Sequence, residues 1–337
     1  MLKAMLQKLV ERRDLTTDEA FTLISTLTRE DVPDGLAGAL LTALSMKGEC
    51  IDELVGGAEV LRRSALAINC AGRDVVDVVG TGGDHGATFN ISTTSAIAAA
   101  AAGVPIAKHG NRAASGKCGA ADVLEALGFN LDVRPGIMED AIARDGLGFL
   151  FARKLHPILG KVANLRRELG VRTIFNLLGP LANPAGASLM LVGVYDAPLT
   201  EIYAHALRRL GVRRALIVHG NDGLDEITCC ETTRVTELKD GFLKSYELYP
   251  EMLLGRTYDP KELEGGDAKQ NARILRDVLS GTERGAKRAA VLLNTAATCY
   301  VAGLCENLHD GIRLAENAID SGAAVRKLDT LLEVSHK

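Results

Sequence analysis

Two glycine-rich loops in tandem, between Asp74 and Gly128, restrict this chain more than any other stretch. Val75, Val76, Val78 and Val79 form a short apolar run of β-branched residues, the pattern of a strand buried on both faces of a parallel sheet. Gly80, Gly82, Gly83 and Gly86 follow, so the backbone can turn sharply and bring its N–H groups to a ligand with no Cβ in the way. Asn90, Ser92 and Thr93 are N-cap candidates for the alanine-rich run Ala96 to Ala102, which Gly103 and Pro105 stop. Strand, glycine loop and helix N-terminus in that order make an anion site, because unpaired N–H groups and the positive end of the helix dipole converge there.

The unit then repeats. Val104 to Ala107 is expected as a second strand, Lys108 to Gly119 as a second loop carrying Lys108, His109, Asn111, Arg112, Ser115 and Lys117, and Ala120 to Leu127 as a helix closed by Gly128. A right-handed crossover puts both loops at the carboxyl edge of neighbouring parallel strands, where open α/β sheets bind ligands. One loop offers backbone donors and the other offers cations. Together they suit a ligand with two phosphate groups, or one pyrophosphate and something beyond it.

Two common nucleotide motifs are excluded. The segment GTGGDHG has His85 where a dinucleotide fingerprint needs its third glycine, and Gly110 to Lys117 has five residues between glycines where a Walker loop has four. A net charge of −4 without a basic block, and 4% aromatic residues, leave neither the electrostatic footprint nor the stacking platform of a nucleic-acid binder. Seven cysteines without a C-x-x-C pair fit free thiols in a reducing compartment. The N-terminus is amphipathic and charged, and no apolar run approaches membrane-spanning length, so a cytoplasmic location is expected.

With 337 residues, the chain is long enough for more than one folding unit. Residues 1–70 read as helices, with Gly35, Ala37, Gly38, Ala39 and Ala43 allowing close packing along the third, either within the chain or against a second copy. Beyond Gly128 strands and helices alternate, which indicates a parallel sheet. The segment at 160–185 carries Arg166, Arg167 and Arg172, and Pro180 and Pro184 end any helix in TIFNLLGPLANP. Thr232 to Leu238 and Gly241 to Leu248 are candidate hairpin strands around Asp240-Gly241, and alanine-rich helices after Ala268 are expected to cover the sheet without carrying chemistry. Asp225 and Glu226 form the most suggestive acidic pair. They follow a strand end in a glycine-containing loop, on the same carboxyl edge as the two phosphate loops, where magnesium on a pyrophosphate needs one or two protein carboxylates.

The segments DVVGTGGD (77–84), FNIST (89–93), KHGNRAAS (108–115), ADVLEALG (121–128), VRTIFNLLGPLANP (171–184) and HGNDGLDE (219–226), in this order and spacing, resemble the anthranilate phosphoribosyltransferase family over nearly the whole chain. The resemblance implies an α/β fold, with a mostly parallel sheet flanked by helices and a smaller N-terminal all-helical domain, like the nucleoside phosphorylases. Residues 1–70 would be the helical dimerisation domain and 71–337 the catalytic one, with helices around 160–185 packing on the former and the active site at the hinge. The activity implied is transfer of phosphoribosyl from phosphoribosyl pyrophosphate to anthranilate, the second step from chorismate in tryptophan biosynthesis, by a magnesium-dependent homodimer with two Mg2+ ions per site. By resemblance, phosphoribosyl pyrophosphate falls to Gly80, Gly83, Asp84, Thr88, Asn90, Ile91, Ser92, Thr93, Lys108, His109, Gly110, Asn111, Arg112, Ala113, Ala114, Ser115, Gly116 and Ala120. Anthranilate falls to Gly80, Asn111 and Arg166, and metal to Ser92, Asp225 and Glu226.

Gly116, Cys118 and Ala120 depart from the serines common after KHGNR and remove hydroxyls that would donate to phosphate. The alternatives are a pyrimidine nucleoside phosphorylase, which has no need of a magnesium-binding carboxylate pair, and a divergent paralogue binding another ligand. Because an aniline-type amine is already neutral at pH 7, the transfer needs charge stabilisation of the leaving group and positioning, and no strong general base.

Overall fold

The computed structural model of the chain describes residues 1–29, 31–82, 88–113 and 116–337. Gly83, Asp84, Ala114 and Ser115 therefore lie outside the described residues. Four helices come first: α1 (Leu2–Val10), α2 (Thr17–Arg29), α3 (Asp34–Lys47) and α4 (Ile51–Ser64). Helix α2 begins with Asp18 and Glu19 in its first turn and ends with Arg29 in its last, each charge opposing the helix dipole at its end. The closest approach in this bundle is made by α4 and not by the small residues of α3. A Cβ on Gly56 would lie 2.3 Å from the Thr17 carbonyl oxygen, whereas one on Gly35 would meet nothing within 4 Å.

The chain then runs β1 (Val76–Gly80), α5 (Ile91–Ala101), β2 (Ile106–Gly110), α6 (Ala120–Ala126), α7 (Pro135–Asp145) and β3 (Leu147–Phe151). It returns to the bundle through α8 (Ala152–Leu155), α9 (Gly160–Leu169), which packs on α2 and α3, and α10 (Ile174–Leu178), which packs on α3 and α4. After β4 (Leu189–Gly193), α11 (Leu199–Arg209), β5 (Arg214–Gly220) and the hairpin β6 (Thr233–Lys239) and β7 (Phe242–Leu248), five helices close the chain: α12 (Pro250–Leu254), α13 (Ala268–Leu279), α14 (Ala286–Ala302), α15 (Leu308–Asp320) and α16 (Ala323–Val334).

The sheet has the order β3-β2-β1-β4-β5-β6-β7, parallel from β3 to β5 and antiparallel beyond. After β1 the chain moves outward to β2 and β3, then starts again on the other side at β4. The crevice between the carboxyl ends of β1 and β4 is thus the switch point, where doubly wound sheets bind ligands. Alternate side chains feed two cores. Val76, Val78, Ile106, Leu191 and Leu216 join α5 and α13 to α16, while Met190, Val192, Ala215 and Ile217 join α4, α10 and α11. Among the described residues, no helix is long and apolar enough to cross a membrane.

One strand differs from the sequence expectation. β2 runs on to Gly110, so Lys108 and His109 are strand residues, both buried, and not part of a loop. Pairing with β3 continues to Gly110↔Phe151, and Gly110 allows it because a Cβ there would lie 2.8 Å from the Phe149 ring. A Lys-His pair in a central strand reverses the hydrophobic rule on which the strand end was placed.

Candidate active site

Gly80 and Gly193 face each other in register across the switch point. A Cβ on Gly193 would lie 1.6 Å from the Asp225 carbonyl oxygen, and a Cβ on Gly80 would lie 2.3 Å from Asp225 Oδ2. Among the described residues, the nearest atoms in the cradle that the two glycines make are those of Asp225. Asp225 Oδ2 in turn accepts a hydrogen bond from the Gly82 N–H at 2.8 Å, with Gly82 in the left-handed region at φ 75°. Thr81 N–H donates to the Gly193 carbonyl at 2.9 Å, and Thr81 Oγ1 accepts from Tyr195 N–H at 3.1 Å, so the first loop leaves β1 tied to β4.

Lys108 reaches this edge from β2. Its Nζ donates to the Val78 carbonyl at 2.6 Å and lies 3.4 Å from Ser92 Oγ in the first turn of α5. Burial lowers its pKa, and the neighbouring carboxylates of Asp77 and Glu226 oppose that shift by favouring the ammonium. The acidic pair, the first loop, the α5 N-terminus and the lysine therefore meet, as the sequence suggested. Ile91 and Thr93 are buried, and because Ile91 N–H donates to the Phe89 carbonyl at 2.7 Å, what the first turn can offer a ligand is the N–H groups of Ser92 and Thr93, which have no intrahelical acceptor.

Asn90 occupies the N-cap position of α5 but its side chain does not cap the helix. Its Nδ2 donates to the Cys118 carbonyl at 3.1 Å, while its Oδ1 accepts from Asn271 Nδ2 at 3.1 Å and from the Cys118 thiol at 3.4 Å. It therefore ties the two loops together. Thr88 makes an antiparallel bridge with Glu264.

The second loop is organised by a residue the sequence reading passed over. Asp122 Oδ2 accepts from the N–H groups of Ala113 and Gly119, both at 2.9 Å, and its Oδ1 pairs with Arg112 at 2.9 Å. Arg112 also pairs with Glu125 at 2.7 Å, so its guanidinium lies along α6. Asn111 Oδ1 accepts from Arg112 N–H at 2.8 Å, and Asn111 O accepts from Ala121 N–H at 3.1 Å. Gly116 and Ala120 are half-buried, at the loop and at the first residue of α6. An acid three residues past the glycine that opens a helix was the available signal for Asp122.

His109 points away from this edge. Its ring lies 5.1 Å from that of His156, with no hydrogen-bond partner on Nε2 among the described residues, and burial lowers its pKa to about 3. His156 is likewise pushed down, to about 4, by burial. Beside them, burial pushes Asp77 up to about 6, although its Oδ1 accepts from the His109 N–H at 3.0 Å. Arg166 is on α9, with its guanidinium 5.6 Å from the Phe175 ring centre, and among the described residues no hydrogen bond or ion pair joins it to the loops. Burial disfavours its charge, which a carboxylate ligand would restore.

Hard divalent cations take carboxylate and hydroxyl oxygens, and Asp225, Glu226 and the nearby Ser92 hydroxyl are donors of that kind. The donor set and its glycine cradle fit Mg2+.

Residues 3–65 match the helical bundle domain of the glycosyl transferase family and residues 72–325 its a/b domain. The chain is 48% identical over 337 residues to anthranilate phosphoribosyltransferase of Syntrophobacter fumaroxidans, covering 100% of each, and 45% identical over 336 residues to that of Methanobrevibacter smithii, again covering 100% of each. It superposes on the Thermus thermophilus anthranilate phosphoribosyltransferase with a TM-score of 0.92 at 40% identity, covering 99% of each chain. The Saccharomyces cerevisiae enzyme in complex with PRPP and Mg gives a TM-score of 0.88 at 29% identity, with 99% of this chain and 98% of that one covered. On length, identity and fold alike, the chain belongs to the anthranilate phosphoribosyltransferase family.

Proposed function

We propose that this enzyme transfers the phosphoribosyl group of phosphoribosyl pyrophosphate to the amine of anthranilate, giving N-(5-phosphoribosyl)anthranilate and pyrophosphate in tryptophan biosynthesis. The observation that carries this reading is the convergence of Asp225, on the Gly82 N–H over Gly80 and Gly193, with Glu226 beside Lys108. A phosphorolytic enzyme has no pyrophosphate to hold and no use for that carboxylate pair.

In the reaction the bond from C1 to the pyrophosphate oxygen breaks and the bond from the anthranilate nitrogen to C1 forms. The amine proton leaves to solvent. The first loop and the N–H groups opening α5 bind the pyrophosphate, joined by the Lys108 ammonium. Asp225, Glu226 and Ser92 would hold two Mg2+ ions, which would neutralise charge on the departing pyrophosphate. Asn111 and Gly80 face the anthranilate, and Arg166 takes its carboxylate, which lets the amine be positioned over C1. His109 stays neutral and serves as packing under the loop, so no strong base enters. Residues 1–70 form the dimerisation domain of a cytoplasmic homodimer, and 71–337 the catalytic domain.

Anthranilate fluorescence followed with phosphoribosyl pyrophosphate, with and without Mg2+, tests this. Mg2+-dependent loss of signal is expected, with KM for anthranilate raised roughly ten- to a hundredfold in Arg166→Ala, the worth of a charge-assisted bond. Folded protein that consumes no anthranilate would instead favour a divergent paralogue with another substrate.

A further inference from the structure

Asn294 lies in the middle of α14, wholly buried, in a helix that the sequence had marked only as cover for the sheet. Its Oδ1 accepts from the Ile227 N–H at 3.0 Å, and its Nδ2 donates to the Ile227 carbonyl at 2.8 Å and to the Ala290 carbonyl at 2.9 Å. One amide thus satisfies both main-chain groups of a buried residue, as a neighbouring strand would do, in a stretch that belongs to no strand. Ile227 directly follows Glu226.

On the other side of the pair, the Asp225 carbonyl rests on the bare Cα of Gly193. The Asp225-Glu226 dipeptide is therefore fixed at both ends, by a missing side chain before it and by a two-pronged side chain after it. Either peptide plane could turn only by breaking one of these contacts. The Thr228 hydroxyl, donating to Asp222 Oδ2, and the Thr228 N–H, donating to Thr233 Oγ1 at 3.1 Å, hold the rest of the loop without touching the pair.

We propose that Asn294 is a positioning residue for the metal: by clamping Ile227 it aims the carboxylates of Asp225 and Glu226 at the cation on the pyrophosphate. This rests on the reading of that pair as magnesium ligands. A side chain that merely stapled the loop to the helix would affect folding and leave metal affinity alone, which gives the test its contrast.

Two variants remove the clamp differently. Asn294→Leu keeps the shape and loses every bond, and Asn294→Asp keeps the acceptor for Ile227 N–H but sets an oxygen against two carbonyls. Free Mn2+ is titrated by its electron paramagnetic resonance signal in the presence of pyrophosphate, and turnover is measured against Mg2+ concentration. The Mn2+ dissociation constant and the half-saturating Mg2+ concentration are both expected to rise about ten- to a hundredfold, as for the loss of a group that orients a metal ligand, with kcat at saturating Mg2+ within about threefold. Thr298→Val, which deletes a buried hydroxyl one turn along the same helix, is expected to lower Tm without shifting either value. In an Asp225→Asn/Glu226→Gln background, Asn294→Asp is expected to add no further loss of Mn2+ binding. Folded variants that bind Mn2+ like the natural chain, or losses that multiply in the combined variant, overturn the role of Asn294. Natural protein that binds no Mn2+ with pyrophosphate overturns instead the metal reading on which it rests. If Asn294→Leu does not fold, Asn294→Asp decides the matter alone.

Discussion

The loop after β1 is held from a distance and the loop after β2 largely by itself. In the first, Gly82 N–H donates to a carboxylate 143 positions away, while Thr81 is bound to Gly193 and Tyr195 and Phe89 N–H reaches Leu263. In the second, Ala113 N–H and Gly119 N–H meet Asp122 at separations of 9 and 3 positions, and Arg112 closes on the same helix. The first loop can take its shape only when β1, β4 and the 221–232 segment have assembled. The second can form once β2 and α6 are in place. Changes at the first should therefore disturb chemistry and architecture together, and changes at the second should weaken one binding step.

The largest effect is expected for Gly193→Ala. Its Cβ would stand 1.6 Å from the Asp225 carbonyl, so the acidic pair must move, and a displacement near an ångström lowers turnover roughly a hundredfold. Steady-state rates with a circular-dichroism check of folding measure this, and near-natural turnover would remove the link between the cradle and the chemistry. Asp122→Ala comes next. It frees two N–H groups in the second loop and leaves Arg112 with Glu125 alone, and should raise KM for phosphoribosyl pyrophosphate about tenfold with kcat changed less, the loss of roughly one charged hydrogen bond. A kcat loss with unchanged KM would reverse the contrast between the loops.

The smallest effect concerns the strand beneath the second loop. Burial lowers the folded-state pKa of His109 to about 3 and of His156 to about 4, from 6.5, so both are neutral in the fold and the unfolded chain takes up protons first. Their contribution to stability is complete above pH 6.5 and is lost as pH falls toward 4 and then 3. Asp77, pushed up to about 6 from 3.8, acts in the opposite sense between pH 6 and 3.8 and offsets part of the slope. Urea midpoints measured from pH 7 to 4 should fall less steeply for His156→Gln than for the natural chain. Equal slopes would mean that the pair is already hydrated.

What was legible in the sequence was what local pattern encodes. The valine run of β1, the alanine run of α5 and the Asp240-Gly241 turn, with φ of 51° and 84° as a type I′ hairpin requires, all have short-range signals. The meeting of Asp225-Glu226 with the first loop was also inferable, because parallel strands place their following loops on one edge. What escaped were side chains acting across the fold. Asn90 looked like a helix cap because nothing local announces that Cys118 and Asn271 will take its amide. Lys108 and His109 looked like loop residues because a charged pair in a central strand breaks the rule used to end it. Arg112 looked like a phosphate ligand, and nothing local announces that the carboxylates of α6 will engage it.

The alanine-rich run of α5 has a consequence for tolerance to change. Ala96, Ala98 and Ala99 are completely buried against the sheet on one side and α14 on the other, where Ala290, Ala296 and Ala297 are equally enclosed. Helices faced with methyl groups pack near the short end of the usual 8–10 Å separation. That layer behaves as a calibrated spacer. Its thickness sets how closely α14, the helix that carries Asn294, lies beside α5, so an added methylene here is expected to shift α14 although it contacts no ligand.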